Sequence, residues 1–132
     1  MRVLIVEDGV IDQIVIAKQL EAWSCECVTV DSAEFALDEL EDGSEFTLLL
    51  VDWNLPGMSG VELVKKVRKL SSGSSLKVVM LTGENDSGHI NEAIAAGVDE
   101  YLMKPITPET FREKMALVGF DSPDEQNMGE DS

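Results

Sequence analysis

Five side chains suited to metal and phosphoryl chemistry stand at the carboxyl ends of four short apolar runs. Glu7 and Asp8 follow Val3 to Val6, Asp52 ends the run Leu48 to Val51, Thr82 follows Val78 to Leu81, and Lys104 follows Tyr101 to Met103. Each is ordinary alone: an acid pair in a loop is usually solvated, a threonine after a strand usually caps the next helix, and Lys-Pro usually marks a turn. Their joint placement carries the argument, because in an open α/β sheet ligands bind outside the carboxyl ends of the strands. Three carboxylates gathered there raise one another's pKa unless a cation neutralises them. Mg2+ suits such a site, since it takes hard oxygen ligands in octahedral geometry and retains several waters. With that cation and Lys104 drawing charge from an incoming phosphoryl group, the Asp52 carboxylate becomes a nucleophile toward phosphorus, and the product is an aspartyl phosphate. Thr82 would donate its hydroxyl to a phosphoryl oxygen, and Gly83 would leave room for close backbone approach.

Leu48 to Val51 is too continuously apolar for a half-wet strand and too short for a membrane span, so it predicts a central parallel strand covered on both faces; Val3 to Val6 and Val78 to Leu81 are further apolar runs of strand length, and Tyr101 to Met103 reads as a fifth strand. A further short strand is predicted over Cys27 to Val30. Helical patterns lie between them. Ile11, Val15, Ile16 and Leu20 are spaced to form one buried face, with Asp12, Lys18 and Glu21 pointing outward. Ser32 is placed to cap a second helix carrying Ala36, Leu37 and Leu40, which Gly43 closes. Asn54, Pro56, Gly57 and Gly60 halt the strand that ends in Asp52, and a third helix starts at Ser59 or Gly60. Its apolar residues Val61, Leu63, Val64, Val67 and Leu70 alternate with Lys65, Lys66, Arg68 and Lys69, cations that read as a solvated face. Ser71 to Ser75 reads as a flexible connection. Ile90, Ala93, Ile94 and Gly97 mark a fourth helix in which His89, the sole histidine, takes a surface role. Thr107-Pro108-Glu109 is an N-cap with proline at the first helical position, leading into Phe111, Met115 and Val118. Five strands alternating with five helices predict an α/β, doubly wound five-stranded parallel sheet with three helices on one face and two on the other.

The chain's 132 residues suit one domain without disulfides or a structural metal. Asp and Glu number 26 against 10 Lys and Arg, for a net charge of −16. Such a surface repels a polyanion and argues against nucleic-acid binding; a divalent cation or a basic protein partner fits better. Cys25 and Cys27 are too close for an easy bridge and lack companions for a zinc site, so both read as free thiols. The start of the chain lacks a charged-then-apolar leader, and no apolar run reaches the ~20 residues of a membrane helix, which together predict a cytoplasmic protein with no membrane association. Residues 1–120 form the predicted domain. Residues 121–132 carry five acids and no base, a composition expected of a disordered tail or the start of a linker.

In order along the chain, Glu7-Asp8, Asp52, Pro56-Gly57-Met58-Ser59-Gly60, Thr82-Gly83, Tyr101 and Lys104-Pro105 resemble the receiver domain of bacterial two-component response regulators, in particular the single-domain chemotaxis regulator. The resemblance covers residues 2 to 119. It implies a flavodoxin-like fold with strand order 2-1-3-4-5, and a phosphorelay module that takes its phosphoryl group from a histidine kinase or phosphotransfer protein. Asp52 would be the phosphoacceptor, Asp8 and Asp52 direct Mg2+ ligands together with the Asn54 backbone carbonyl, and Glu7 a ligand through water. Thr82 and Lys104 would bind the phosphoryl oxygens, with Lys104 fixed by a cis peptide before Pro105. Tyr101 matches the aromatic residue that turns inward with Thr82, linking the site to the face of the fourth helix, fifth strand and fifth helix, where a downstream protein target reads the change. A basic target suits Glu92, Asp99, Glu100, Glu109 and Glu113 on that side. Asn54 and Glu84 match the polar pair that orients an attacking water, implying fast self-dephosphorylation. The chain departs from many members in carrying Glu7 where they have Asp.

Other readings bear on the same residues, and one of them, a receiver-like scaffold that has abandoned phosphorylation, is opposed by the intact set of landmarks. A receiver portion cut from a multidomain regulator or hybrid kinase would look the same. A haloacid-dehalogenase-like phosphatase also uses a strand-end aspartate with Mg2+, Thr and Lys, but requires a second Asp two residues later, where this chain has Asn54. The expected activity is therefore self-phosphorylation and self-dephosphorylation rather than turnover of a substrate.

Overall fold

A computed structural model describes residues 1–42, 45–70, 75–83 and 89–121. Glu84, Gly43, most of the Ser71 to Ser75 connection and nearly all of the acidic tail lie outside the described residues. The strands are β1 (Arg2–Val6), β2 (Glu26–Val30), β3 (Leu48–Asp52), β4 (Lys77–Thr82) and β5 (Glu100–Met103), and the helices α1 (Val10–Leu20), α2 (Ala33–Glu41), α3 (Gly60–Lys69), α4 (Ile90–Ala96) and α5 (Pro108–Leu117). All pairings are parallel, in the order β2-β1-β3-β4-β5. This is the doubly wound sheet that the alternation of strands and helices predicts, in the flavodoxin-like strand order that the resemblance implies.

Burial explains why the strands read as unbroken apolar runs. Every residue of β3 is buried, and Leu4, Val6, Leu49, Val51, Val78 and Met80 pack on one face against α2, α3 and α4. Val3, Ile5, Leu48, Leu50, Val79 and Leu81 pack on the other against α1 and α5. The helices therefore divide three against two. β2 lies at the edge and is only partly buried. Its Cys27 is exposed, the Cys25 and Cys27 sulfurs are 3.6 Å apart, and both thiols are free. Side-chain caps start three helices where the sequence places them: Ser32, Ser59 and Thr107 each accept a hydrogen bond from the amide three residues on. Among the described residues no helix is long and apolar enough to cross a membrane.

Three sequence expectations fail. Ile11 does not join the buried face of α1; it is 78% exposed, with Val10 and Ile14 also exposed, and only Ile16 and Leu20 are fully buried. The first turn of α1 stands at the carboxyl edge of the sheet, beside the polar strand ends, where apolar core no longer lies beneath it. Asp12 does not point outward, since its carboxylate hydrogen-bonds Lys104. Arg68 is not part of a solvated face: it donates to the carbonyls of Leu76 and Gly97 and pairs with Asp99 at 2.9 Å.

Candidate functional site

Register assembles the site. Val6 pairs with Val51 across β1 and β3, and Asp52 with Leu81 across β3 and β4. Thr82, one residue further along β4, pairs with Met103, and its carbonyl accepts the amide of Lys104 at 2.7 Å. Four strand ends thus stop in step along one edge. The backbone of the following loop is held as tightly: the Trp53 amide donates to the Leu81 carbonyl at 2.8 Å, and the Gly60 amide returns to the Trp53 carbonyl at 3.1 Å. Gly60 opens α3 directly against β3, so a Cβ there would run into the Asp52 carbonyl oxygen. Gly57 takes a left-handed φ of 78° within the same loop.

Glu7 and Asp52 are buried, while Asp8 lies exposed beside them. One carboxylate oxygen from each falls within 4.8 Å of the others, a grouping able to hold a metal ion. Lys104 Nζ lies 3.3 Å from Glu7 Oε2, 3.5 Å from Asp52 Oδ1 and 3.1 Å from Asp12 Oδ2. The Asn54 amide donates to Asp52 Oδ1 at 3.3 Å, and the Gly9 amide to Glu7 Oε1 at 3.2 Å. The Lys104-Pro105 peptide is cis.

Burial dominates the electrostatics. It pushes the Glu7 carboxyl up to about 7, with the Asp52 charge adding to the shift and Lys104 opposing it. Burial likewise raises Asp52 above the ordinary aspartate range, against the pull of Lys104 and the Asn54 amide. For Lys104 burial favours the neutral amine, but Asp52, Asp12 and Glu7 outweigh it and hold the ammonium above the usual lysine range. Excess negative charge converging on one buried point is the condition that a divalent cation with oxygen ligands relieves.

Thr82 is 2% exposed, and its Oγ1 is the one buried side-chain polar atom without a hydrogen-bond partner among the described residues. A buried hydroxyl left unpaired costs about 1–3 kcal/mol, and its position beside the strand that carries Asp52 suits a group that binds there. Metal and phosphoryl group therefore both fit the residues present.

Of the residues expected at the site, Glu7, Asp8, Asp52, Asn54, Thr82 and Lys104 come to the same edge. Tyr101 lies half-buried on β5, with its ring 4.4 Å from Lys114 Nζ, and Lys114 pairs with Glu100 at 3.2 Å. Asp99 and Glu100, expected on an open acidic face, are thus already held by Arg68 and Lys114. Two site neighbours escape the sequence reading. Asp12 is one; its signal is the i, i+4 spacing to Ile16 and Leu20, which puts it on the inward face of α1. The other is His89, whose ring stacks on Trp53 at 4.4 Å and 24°, next to the acceptor position.

Residues 3–116 match the response regulator receiver domain. The chain is 33% identical over 119 residues to the chemotaxis protein CheY1 of Helicobacter pylori, covering 89% of this chain and 96% of that protein. Rice two-component response regulator ORR6 is 36% identical over 110 residues, 82% of this chain and 65% of the relative. The chemotaxis response regulator CheY4 of Vibrio cholerae superposes with a TM-score of 0.81 at 30% identity, over 89% of this chain and 97% of that one. The receiver domain of a sensor histidine kinase from Pseudomonas aeruginosa, whose structure has a magnesium ion coordinated in its active-site cleft, superposes with a TM-score of 0.78 at 25% identity, over 89% and 97% of the two chains. In fold, in the ordering of its strand-end residues and across nearly its whole described length, the chain belongs to the response regulator receiver domain family.

Proposed function

We propose that Asp52 is the phosphoacceptor of a two-component phosphorelay, accepting a phosphoryl group from a histidine kinase or phosphotransfer protein. The observation that carries this reading is a buried carboxylate flanked by Lys104 and Glu7, with the hydroxyl of Thr82, unpaired among the described residues, on the neighbouring strand. Glu7, Asp8, Asp52 and the Asn54 carbonyl would hold Mg2+, which when bound supplies charge neutralisation for the incoming phosphoryl oxygens. An Asp52 oxygen contributes the electron pair of the new O–P bond as the donor's P–N bond breaks. Lys104 and Thr82 bind the phosphoryl oxygens, and the Asn54 amide fixes the orientation of the attacking carboxylate. Asn54 and Glu84 then position the water that hydrolyses the acyl phosphate, giving the chain self-phosphorylation and fast self-dephosphorylation. Phosphorylation adds about −1.5 to −2 charge at neutral pH, which draws on Thr82 and shifts Tyr101 and the α4, β5 and α5 face that a downstream protein reads.

The test is intact-mass measurement after incubation with acetyl phosphate and Mg2+, beside Asp52→Asn. The wild-type chain gains one phosphoryl adduct and the variant none; an adduct that survives the substitution overturns the assignment. Decay of the adduct over many hours, rather than minutes, would refute the hydrolytic role of Asn54 and Glu84.

A further inference from the structure

Among the described residues, the shortest ion pair made by Lys104 is with none of the buried acids. It is with Asp12, at 3.1 Å, on the first turn of α1. The Asp12 side chain is 40% exposed, against 9% for Asp52 and 2% for Glu7, so it stands at the mouth of the pocket. It is also outside the group of carboxylates able to share a metal ion, Glu7, Asp8 and Asp52. Among the described residues Lys104 Nζ donates to Asp12 Oδ2 at 3.1 Å and to Glu7 Oε2 at 3.3 Å, while Asp52 Oδ1 lies further off at 3.5 Å.

We infer that Asp12 is a positioning residue that acts through Lys104: it anchors the ammonium toward α1 at rest and competes with the phosphoryl group for it during transfer. This rests on the phosphoacceptor reading of Asp52. When a cation neutralises Glu7 and Asp52, Asp12 is, among the described residues, the anion facing Lys104 that lies outside the group able to share such a cation. Lys104 must leave that anion to engage a phosphoryl oxygen, so the Asp12 charge acts as a brake on phosphorylation. The helix fixes the geometry. Asp12 precedes Ile16 and Leu20 at successive intervals of four, so burial of those two residues turns Asp12 toward the site. Gln13, beside it, is pinned by its side-chain amide to the Glu7 carbonyl at 2.6 Å.

Asp12→Asn keeps the side-chain size and removes the charge. With the full chain, acetyl phosphate and saturating Mg2+, the expected result is phosphorylation about two- to fivefold faster than wild type, the range for a partly exposed charge pair. Asp12→Glu, which restores the charge, should return the rate toward wild type. Asp38→Asn on α2 removes one charge away from the pocket and should leave the rate unchanged. The effect must also disappear in a Lys104→Met background, a readout that a purely structural role or simple repulsion of the donor would not move. An Asp12→Asn rate equal to or below wild type overturns the inference, as does an equal gain from Asp38→Asn, or the same acceleration without Lys104. A wild-type chain that takes up no phosphoryl group at Asp52 overturns the phosphoacceptor reading and this inference with it. Normal wild-type phosphorylation with an unresponsive Asp12→Asn removes this inference alone.

Discussion

Glu7 Oε2 and Lys104 Nζ lie 3.3 Å apart, joining the end of β1 to the end of β5 across the two strands between them. Even with that ammonium alongside, burial keeps the Glu7 carboxyl protonated up to about pH 7, above its ordinary 4.5. The folded state thus binds this proton more tightly than the unfolded chain. Its contribution to stability is complete below the unfolded value and is lost as pH rises through 7. In thermal melts of the metal-free protein, the Glu7 contribution makes wild type lose more stability than Glu7→Gln between pH 5 and 7.5. Mg2+ must displace the same proton, so calorimetric titration should show its apparent affinity falling as pH drops below 7, by up to about tenfold per unit. A pH-independent affinity would contradict the placement of Glu7 in the metal site.

Thr82 should separate stability from function. Its buried hydroxyl has no partner among the described residues, so Thr82→Val removes an unsatisfied group at nearly constant shape. Denaturant unfolding is expected to show the metal-free variant as stable as wild type, or more stable by about 1 kcal/mol. Phosphorylation by acetyl phosphate should slow, because the donor to the phosphoryl oxygen is gone. A variant that unfolds more easily and phosphorylates normally would reverse both expectations.

Gly60→Ala tests the packing of α3 against the acceptor strand. The added methyl meets the Asp52 carbonyl oxygen, which is backbone and unable to swing aside. Destabilisation of about 1–3 kcal/mol is expected from forced overpacking, with slower phosphorylation as the Asp52 backbone is displaced. Denaturant midpoints and intact-mass kinetics measure the two; an alanine tolerated without loss in either would show that the close approach is not required.

Arg68 ties α3 to the β4 and β5 ends away from the site. Its guanidinium donates to the Gly97 carbonyl at 3.0 and 2.6 Å and pairs with Asp99, whose Oδ2 also accepts the Val78 amide at 2.8 Å. Arg68→Ala should cost about 1–3 kcal/mol by removing the donor to the part-buried Leu76 and Gly97 carbonyls and the cation paired with Asp99. Lysine should recover only part of this, since one ammonium cannot reproduce the fork. Lysine melting at the wild-type temperature would argue against the bidentate arrangement.

Much of this molecule is legible along the chain because its strands are buried on both faces. Continuous apolar runs such as Leu48 to Val51 have few alternatives, and the polar residue that ends each run stands out. Ser32, Ser59 and Thr107 announce their helices because a cap is a local hydrogen bond. Periodicity misleads on α1, where Ile11 competes with Asp12 for the inward position. Apolarity favours Ile11, but the sheet beneath that turn has given way to charged strand ends. Arg68 misleads similarly, because a cation on an amphipathic helix reads as solvated until a neighbouring helix terminus supplies carbonyls for it.

Sequence alone determined the elements, their order, and which residues would end the strands, since these follow from hydrophobic periodicity, turn chemistry and chirality acting over short stretches. Tertiary structure decided how those ends meet. Register brought Asp52 opposite Leu81 and Thr82 opposite Met103, and burial raised the pKa of Glu7. Packing of α1 by Ile16 and Leu20 turned Asp12 onto Lys104. These depend on distances between residues as many as 97 positions apart, and a pairing at that range exists only once the sheet has closed the gap.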